Sequence, residues 1–143
     1  MSAERPILIV DDDDALRETL AEQLSLDGEF GGTEAANIAQ AEATMATPQG
    51  RFDAIILDPP TFGRGGSGKT FRVERDFAAL LADALKLARP GAAILLSTNF
   101  SEWTADRLVN DVLRLVPAAT IRKIPAPPDF FGNPPSATVW LHV

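Results

Sequence analysis

Arg51-Phe52-Asp53-Ala54-Ile55-Ile56-Leu57-Asp58-Pro59-Pro60 is the stretch on which the fold turns. A short apolar run rich in β-branched residues, stopped by an acid and two prolines, reads as a strand buried on both faces. Such strands belong to parallel sheets covered by helices on either side. Upstream, Ile7-Leu8-Ile9-Val10 is a second run of the same kind, and it too ends in acids, Asp11 to Asp14. Leu16, Leu20 and Leu24 then recur every four residues with Ala21 beside them, the spacing of an amphipathic helix, and its acidic first turn suits the positive end of the helix dipole. Asp27-Gly28 ends that helix. Glu29 to Thr33 reads as a weaker strand, diluted by Gly31 and Gly32, and Ala35 to Ala46 as an alanine-rich helix closed by Thr47-Pro48-Gln49-Gly50.

Downstream of Asp58 comes a Gly/Pro-rich loop, Pro59 to about Arg72. A helix follows from about Val73 to Ala88, with Phe77, Leu80, Leu81, Ala84, Leu85 and Leu87 on its inner face and Pro90-Gly91 as its stop. Ala92 to Ser97 reads as a buried strand, Ser101 as the cap of a helix reaching Leu115, and Pro117 as its breaker. Thr120 to Ile124 and Thr138 to Val143 are two last strands. The proline-studded connection between them, Pro125 to Ser136, is too short for a crossover helix, so they pair antiparallel. The pattern βαβαβαβαββ predicts an α/β protein, a three-layer doubly wound sandwich. Counting strands along the chain, the expected order is 2-1-3-4-6-5 with strand 6 antiparallel, and sites fall at the carboxyl ends of the strands.

Composition sets the outer limits. The 143 residues, 45% of them apolar, suffice for one α/β domain over 1–143. No run of about 18 apolar residues and no signal-peptide pattern occurs, so a soluble, cytoplasmic protein without membrane contact is expected. With no cysteine, disulfides, thiolate metal sites and thiol nucleophiles are excluded, and a lone His142 excludes sites built on several imidazoles. The net charge of −7 is unevenly spread: residues 1–58 hold 13 of the 20 acids and 3 of the 13 bases, so they carry −10 and the remainder +3. The two segments look like products of different histories.

Strand-end carboxylates on neighbouring parallel strands repel one another unless something compensates them. Asp11, Asp12 and Asp58 are therefore expected to gather at one rim, where a hard divalent cation such as Mg²⁺ relieves the repulsion and prepares Asp58 to accept a phosphoryl group. The bland alternative is an acidic helix start beside an unrelated strand-end acid.

Residues 7–28, ILIVDDDDALRETLAEQLSLDG, resemble the opening of a response-regulator receiver domain, and the likeness runs from about Arg5 to Asp58. The resemblance implies Asp11 and Asp12 as Mg²⁺ ligands and Asp58 as the phosphoacceptor served by a histidine-kinase partner. It also implies contacts to the phosphoryl oxygens from Ser97 or Thr98 and from Lys123. After Asp58 the receiver pattern stops, since Pro59-Pro60 follow and Ile124 stands where a proline should follow the lysine.

The remainder resembles the C-terminal half of a class I SAM-dependent rRNA methyltransferase, in FDAIILDPPTFGRG (52–65), VERDFAALLADALKLARPGAAILLSTNFS (73–101) and PPDFFGNPPSATVWL (127–141). That likeness implies that Asp58, Pro59, Pro60, Thr61 and Phe62 form a loop bordering methyl donor and target base, with rRNA as partner. If SAM binds, Glu34 meets a ribose hydroxyl. The absence of cysteine excludes a covalent route to 5-methylcytosine. Four aspartates stand where the donor's glycine-rich loop is expected, and their charge argues against SAM binding.

The two likenesses overlap at FDAIILD, where a splice would fit. The resulting expectation is an engineered chimera, part flavodoxin-like and part Rossmann-like, with a receiver-like segment over about 1–58 and a methyltransferase-like segment over about 53–143. It would keep a weak Mg²⁺ and phosphoacceptor site and little or no native activity, so that it is not an enzyme. The alternatives are a SAM-dependent RNA methyltransferase-like protein and a purely structural fold hybrid. Gly63 to Thr70 also fits the P-loop pattern G-x-x-x-x-G-K-[ST], but Asp58 to Phe62 separate it from the preceding strand and Phe71 to Val73 from the next helix. It reads as a glycine-tolerant loop.

Overall fold

The computed structural model describes residues 4–10, 14–36, 38–45, 52–59, 61–64, 70–125, 128 and 136–143, with the backbone alone at 38 and 64. Strands and helices alternate as β1 (Arg5–Val10), α1 (Asp14–Leu26), β2 (Phe30–Ala35), α2 (Ile38–Met45) and β3 (Phe52–Leu57). Then come β4 (Phe62–Arg64), β5 (Thr70–Arg72), α3 (Val73–Leu87), β6 (Ala88–Thr98), α4 (Ala105–Leu115), β7 (Thr120–Lys123) and β8 (Ala137–His142). Two compact units result: Met1–Ile55 with Lys86–Ala92, and Ile56–Leu85 with Ala93–Val143.

In the first unit β1 and β2 pair in parallel, from Arg5 opposite Phe30 to Val10 opposite Ala35. Parallel neighbours need a crossover, and α1 supplies it. The chain leaves α1 through Gly28, whose φ of 63° is open to glycine at little steric cost, with its N–H on the Ser25 carbonyl at 3.1 Å. The leucine stripe of α1 is less covered than its spacing predicts: no α1 side chain is buried, and Leu16 and Leu20 remain 46% and 38% exposed.

The second unit holds most of the buried apolar side chains. Along β6, Ile94, Leu96 and Thr98 alternate inward. Their antiparallel partner β8 answers with Ala137, Val139 and Leu141 in a register that sets Ile94 opposite Leu141 and Thr98 opposite Ala137. From α3, Val73, Phe77, Leu81 and Ala84 are buried at helical spacing, while Leu80, Leu85 and Leu87 are only partly covered. From α4, Leu108 and Val112 are buried. Each fully buried Leu, Ile or Val contributes about 1.5–3 kcal/mol of transfer free energy.

Hydrogen bonding orders the strands as β1-β2, as β3-β6-β8-β7 and as the hairpin β4-β5. The sheet containing β8 is mixed, and β7 and β8 are antiparallel as their short connection requires. Three local expectations are corrected. The loop 59–72 contains the hairpin β4-β5, pairing Phe62 with Arg72 and Arg64 with Thr70. Strand β6 begins at Ala88 and passes through Pro90-Gly91, where a φ of 83° at Gly91 lets the strand absorb the bend that reads as a helix stop. The cap of α4 is Thr104, not Ser101: its hydroxyl accepts the Arg107 N–H at 3.2 Å. Among the described residues no helix is long and apolar enough to cross a membrane.

Candidate active site

Two strand-end loops of the second unit meet. The Thr61 hydroxyl, after β3, donates to Oδ1 of Asn99, after β6, at 2.8 Å, and the Thr61 carbonyl accepts the Val73 N–H at 3.3 Å, which ties the same loop to the start of α3. On the β6 side, Thr98 is only 1% exposed, and its hydroxyl accepts the Phe100 N–H at 3.2 Å in a local turn. The Phe100 carbonyl in turn accepts the Trp103 N–H at 3.0 Å. The loop Asp58 to Phe62 is thus clamped at Thr61 while Asp58 stays exposed and Pro59 is buried.

The chemistry of that loop follows from its residue types. Pro59 and Pro60 have no N–H, so residues 58–60 are by composition rich in acceptors and short of donors. Phe62 is 50% exposed, with the Arg72 guanidinium 5.8 Å from its ring centroid, a cation–π contact across the hairpin register. Acceptors beside an exposed aromatic face suit a planar, N–H-bearing and partly cationic guest. At the start of α3, Asp76 accepts from Arg75 at 2.7 Å and from the Arg72 N–H at 2.8 Å, which lowers its pKa to about 2, with the Arg75 hydrogen bond the larger cause.

The other residues singled out from sequence have different surroundings. Ser97 shares a hydrogen bond with Thr138, its cross-strand partner, at 3.2 Å. Lys123 is engaged by Asp106 at 2.5 Å. In the first unit, Glu34 accepts from Arg17 at 3.2 Å; Arg17 also holds Asp14 at 2.6 Å, and the bond to Asp14 is the main reason its pKa is raised. Asp11, Asp12, Pro60 and the glycine-rich residues 65–69 lie outside the described residues. The P-loop pattern is flanked by the two strands of a hairpin, whereas a phosphate-binding loop joins a strand to a helix. Sequence reasoning missed Asn99, although Thr98-Asn99-Phe100-Ser101 after an apolar strand is a turn signature that marks strand-end loops.

Compared with known proteins, the chain is 34% identical over 98 residues, 68% of its length, to the ribosomal RNA large subunit methyltransferase K/L of Shewanella pealeana. It is 30% identical over 125 residues, 87% of its length, to the enzyme of the same name from Vibrio cholerae serotype O1. It spans 14% and 18% of those relatives. No family model matches it. Among solved structures, SMU.776, described as a methyltransferase and crystallised with SAH, superposes with a TM-score of 0.71 at 18% identity, over 95% of this chain and 38% of that one. The chain has the Rossmann-like methyltransferase fold.

That likeness removes the splice. A match over 125 of 143 residues leaves 18 outside it and so must include at least 40 of the first 58, the very stretch that resembles a receiver. The expectations of a chimera, of engineered origin, of a flavodoxin-like half, of phosphorelay activity and of a histidine-kinase partner are therefore withdrawn. The receiver likeness has a physical origin: a buried strand ending in acids before an amphipathic helix is what a parallel sheet and the helix dipole favour in any α/β fold.

The Mg²⁺ expectation at Asp11, Asp12 and Asp58 falls with it. It rested on the receiver reading alone; Asp11 and Asp12 lie outside the described residues, and among those that are described no group of three or more His, Cys, Asp or Glu is placed to hold a metal ion. The case against SAM fails as well, because it equated Asp11 to Asp14 with the glycine loop of a methyltransferase's first strand. The expectation is withdrawn because SMU.776, whose fold matches over 95% of this chain, was solved with SAH.

Proposed function

We propose that this chain is part of a SAM-dependent methyltransferase acting on RNA, with large-subunit ribosomal RNA as the substrate class. The observation that carries the reading is the acceptor-rich loop Asp58-Pro59-Pro60-Thr61-Phe62, clamped by the 2.8 Å bond from Thr61 to Asn99, in a chain similar over 87% of its length to a ribosomal RNA methyltransferase. SAM supplies, when bound, a methyl group on a positively charged sulfur. The donor set of the loop fits such a group, because it offers carboxylate and carbonyl oxygens at a strand end and no competing cation from residues 58–62.

The chain's own residues then divide the work. Asp58 accepts a hydrogen bond from an N–H of the target base and holds its nitrogen in one orientation. Because the prolines bring no N–H, nothing from residues 59 and 60 competes for the lone pair that attacks. The exposed Phe62 ring offers a stacking face to the base, as single-stranded RNA recognition commonly does. The proton that a methylated amine gives up passes by way of Asp58, which is open to water. Thr61 and Asn99 are positioning residues that keep the loop from spreading.

Two measurements test the reading: calorimetric titration with SAH, and transfer of labelled methyl from SAM to large-subunit rRNA. Saturable heat with SAH, and incorporation lost in Asp58→Ala, are the expected results. No heat at millimolar SAH would sink the proposal.

A further inference from the structure

Between α3 and α4 the second unit has a half-open cavity of about 290 Å³ whose walls include Phe77, Ala78, Trp103, Arg107, Asp111 and Arg114. That is the lower end of the range for ligand pockets, about 300–1,000 Å³, and suits a single ring system better than a larger molecule. Trp103 is 6% exposed, and its indole Nε1 is a buried donor with no partner among the described residues. Buried donors are almost always satisfied, so this one asks for an acceptor, and with under 1 Å² of accessible surface it meets one from the cavity only when the wall over it opens. The ring stands edge-on to Phe77, centroids 5.2 Å apart at 87°, and the Arg107 guanidinium lies 5.4 Å from its centroid. At the mouth, Asp111 faces both Arg107 at 3.7 Å and Arg114 at 3.3 Å. The other charged wall residues are paired elsewhere, Glu74 with Arg72 at 3.8 Å and Arg75 with Asp76 at 2.7 Å, so one carboxylate answers two guanidiniums and a positive charge is left over on side chains 52% and 79% exposed.

We infer that this cavity takes one unpaired nucleobase of an RNA strand and that Arg107 and Arg114 hold the attached phosphate. The inference rests on the RNA methyltransferase reading and deepens it by adding a contact made by helices rather than by strand-end loops. A base supplies what the cavity lacks: a flat face for the Arg107 plane, a carbonyl or ring nitrogen for the Trp103 N–H, and a phosphate for the surplus charge. Arg107 covers the indole in the free protein and moves from Trp103 onto the base as it enters.

The test uses the Trp140→Phe variant, in which Trp103 is the single tryptophan, and a mixed-sequence single-stranded RNA pentamer with uridine monophosphate as the comparison. Titration with the pentamer should change Trp103 emission. Ala78→Phe, which fills the cavity from an exposed position, and Arg107→Ala should each weaken binding at least about tenfold, with the SAH titration unchanged. Arg114→Ala should flatten the slope of log affinity against log salt by about 0.7, one phosphate contact on a single strand. A pentamer that does not bind, binds with no change in Trp103 emission, or binds Ala78→Phe as it binds the parent overturns the inference. Equal affinity for the mononucleotide assigns the cavity to a free nucleotide and overturns the RNA assignment. Pentamer binding without SAH heat keeps the cavity and refutes the methyltransferase reading instead.

Discussion

Neutralising Asp58 separates two roles that the strand-end loop could play. SAM carries a methyl group and a positive charge on sulfur and SAH has neither, while the two share every other group that the protein can touch. Asp58→Asn keeps the shape and one acceptor oxygen but removes the charge. Because Asp58 is exposed, its field is screened nearly as in water, where a pair of unit charges about 4 Å apart contributes about 1 kcal/mol. A drier site would give about 4 kcal/mol at an effective dielectric near 20, so the open position selects the lower figure. One kcal/mol is about a fivefold change in Kd. Calorimetric titration of parent and Asp58→Asn with each ligand at about 0.1 M salt should show SAM binding weakened about fivefold and SAH binding unchanged. The gap should narrow at about 1 M salt, where the screening length drops to about 3 Å. If SAM and SAH weaken together, or neither does, Asp58 does not face the donor's charge and the reasoning about the acceptor-rich loop is wrong.

Leu108→Ala in α4, at a side chain with no exposed surface, should cost about 3 kcal/mol in urea unfolding, while Leu113→Ala on the same helix, 38% exposed, should stay within about 0.5 kcal/mol. Thr104→Ala removes the α4 cap and should cost about 1 kcal/mol, with Thr104→Ser close to the parent. Asp76, with a folded pKa of about 2 against an ordinary 3.8, binds its proton more readily in the unfolded chain. Its contribution to stability is therefore present above about pH 4 and lost as pH falls toward 2, and Asp76→Asn should flatten that part of the unfolding profile. Amides of α1, which buries no side chain, should exchange faster than those of α3 between Phe77 and Ala84.

Much of the fold could be read from the sequence because it rests on strong periodic signals. The runs at Ile7–Val10, Ile55–Leu57 and Ala92–Leu96 admit few other structures, and the stripe of Val73, Phe77, Leu81 and Ala84 keeps helical spacing. The hairpin at Phe62–Arg64 and Thr70–Arg72 escaped because three-residue strands carry too little alternation to be told from loop. Ala88 to Gly91 escaped because Pro and Gly read as breakers, and only the observed positive φ at Gly91 shows the strand bending through them. At the site, Asp58 to Phe62 were named from the resemblance. The clasp from Thr61 to Asn99, 38 residues apart, is set by how two loops meet and is not written in either loop alone.

The misreading of residues 1–58 has the same root as the successes. A β-branched run ending in acids, then leucines every fourth residue, is a physical solution shared by unrelated α/β families, so it identifies an architecture and not an ancestor. What separates ancestors is the part of a sequence that physics leaves free. In this chain those positions lie in the loops: Pro59 and Pro60 remove donors that no strand end needs removed, and Asn99 offers an acceptor to Thr61 that no fold requires. Under the proposed function, residues of that kind are costly to change for chemistry. A functional reading should therefore weigh the short acceptor-rich loop after β3 above the longer and more regular acidic opening of α1.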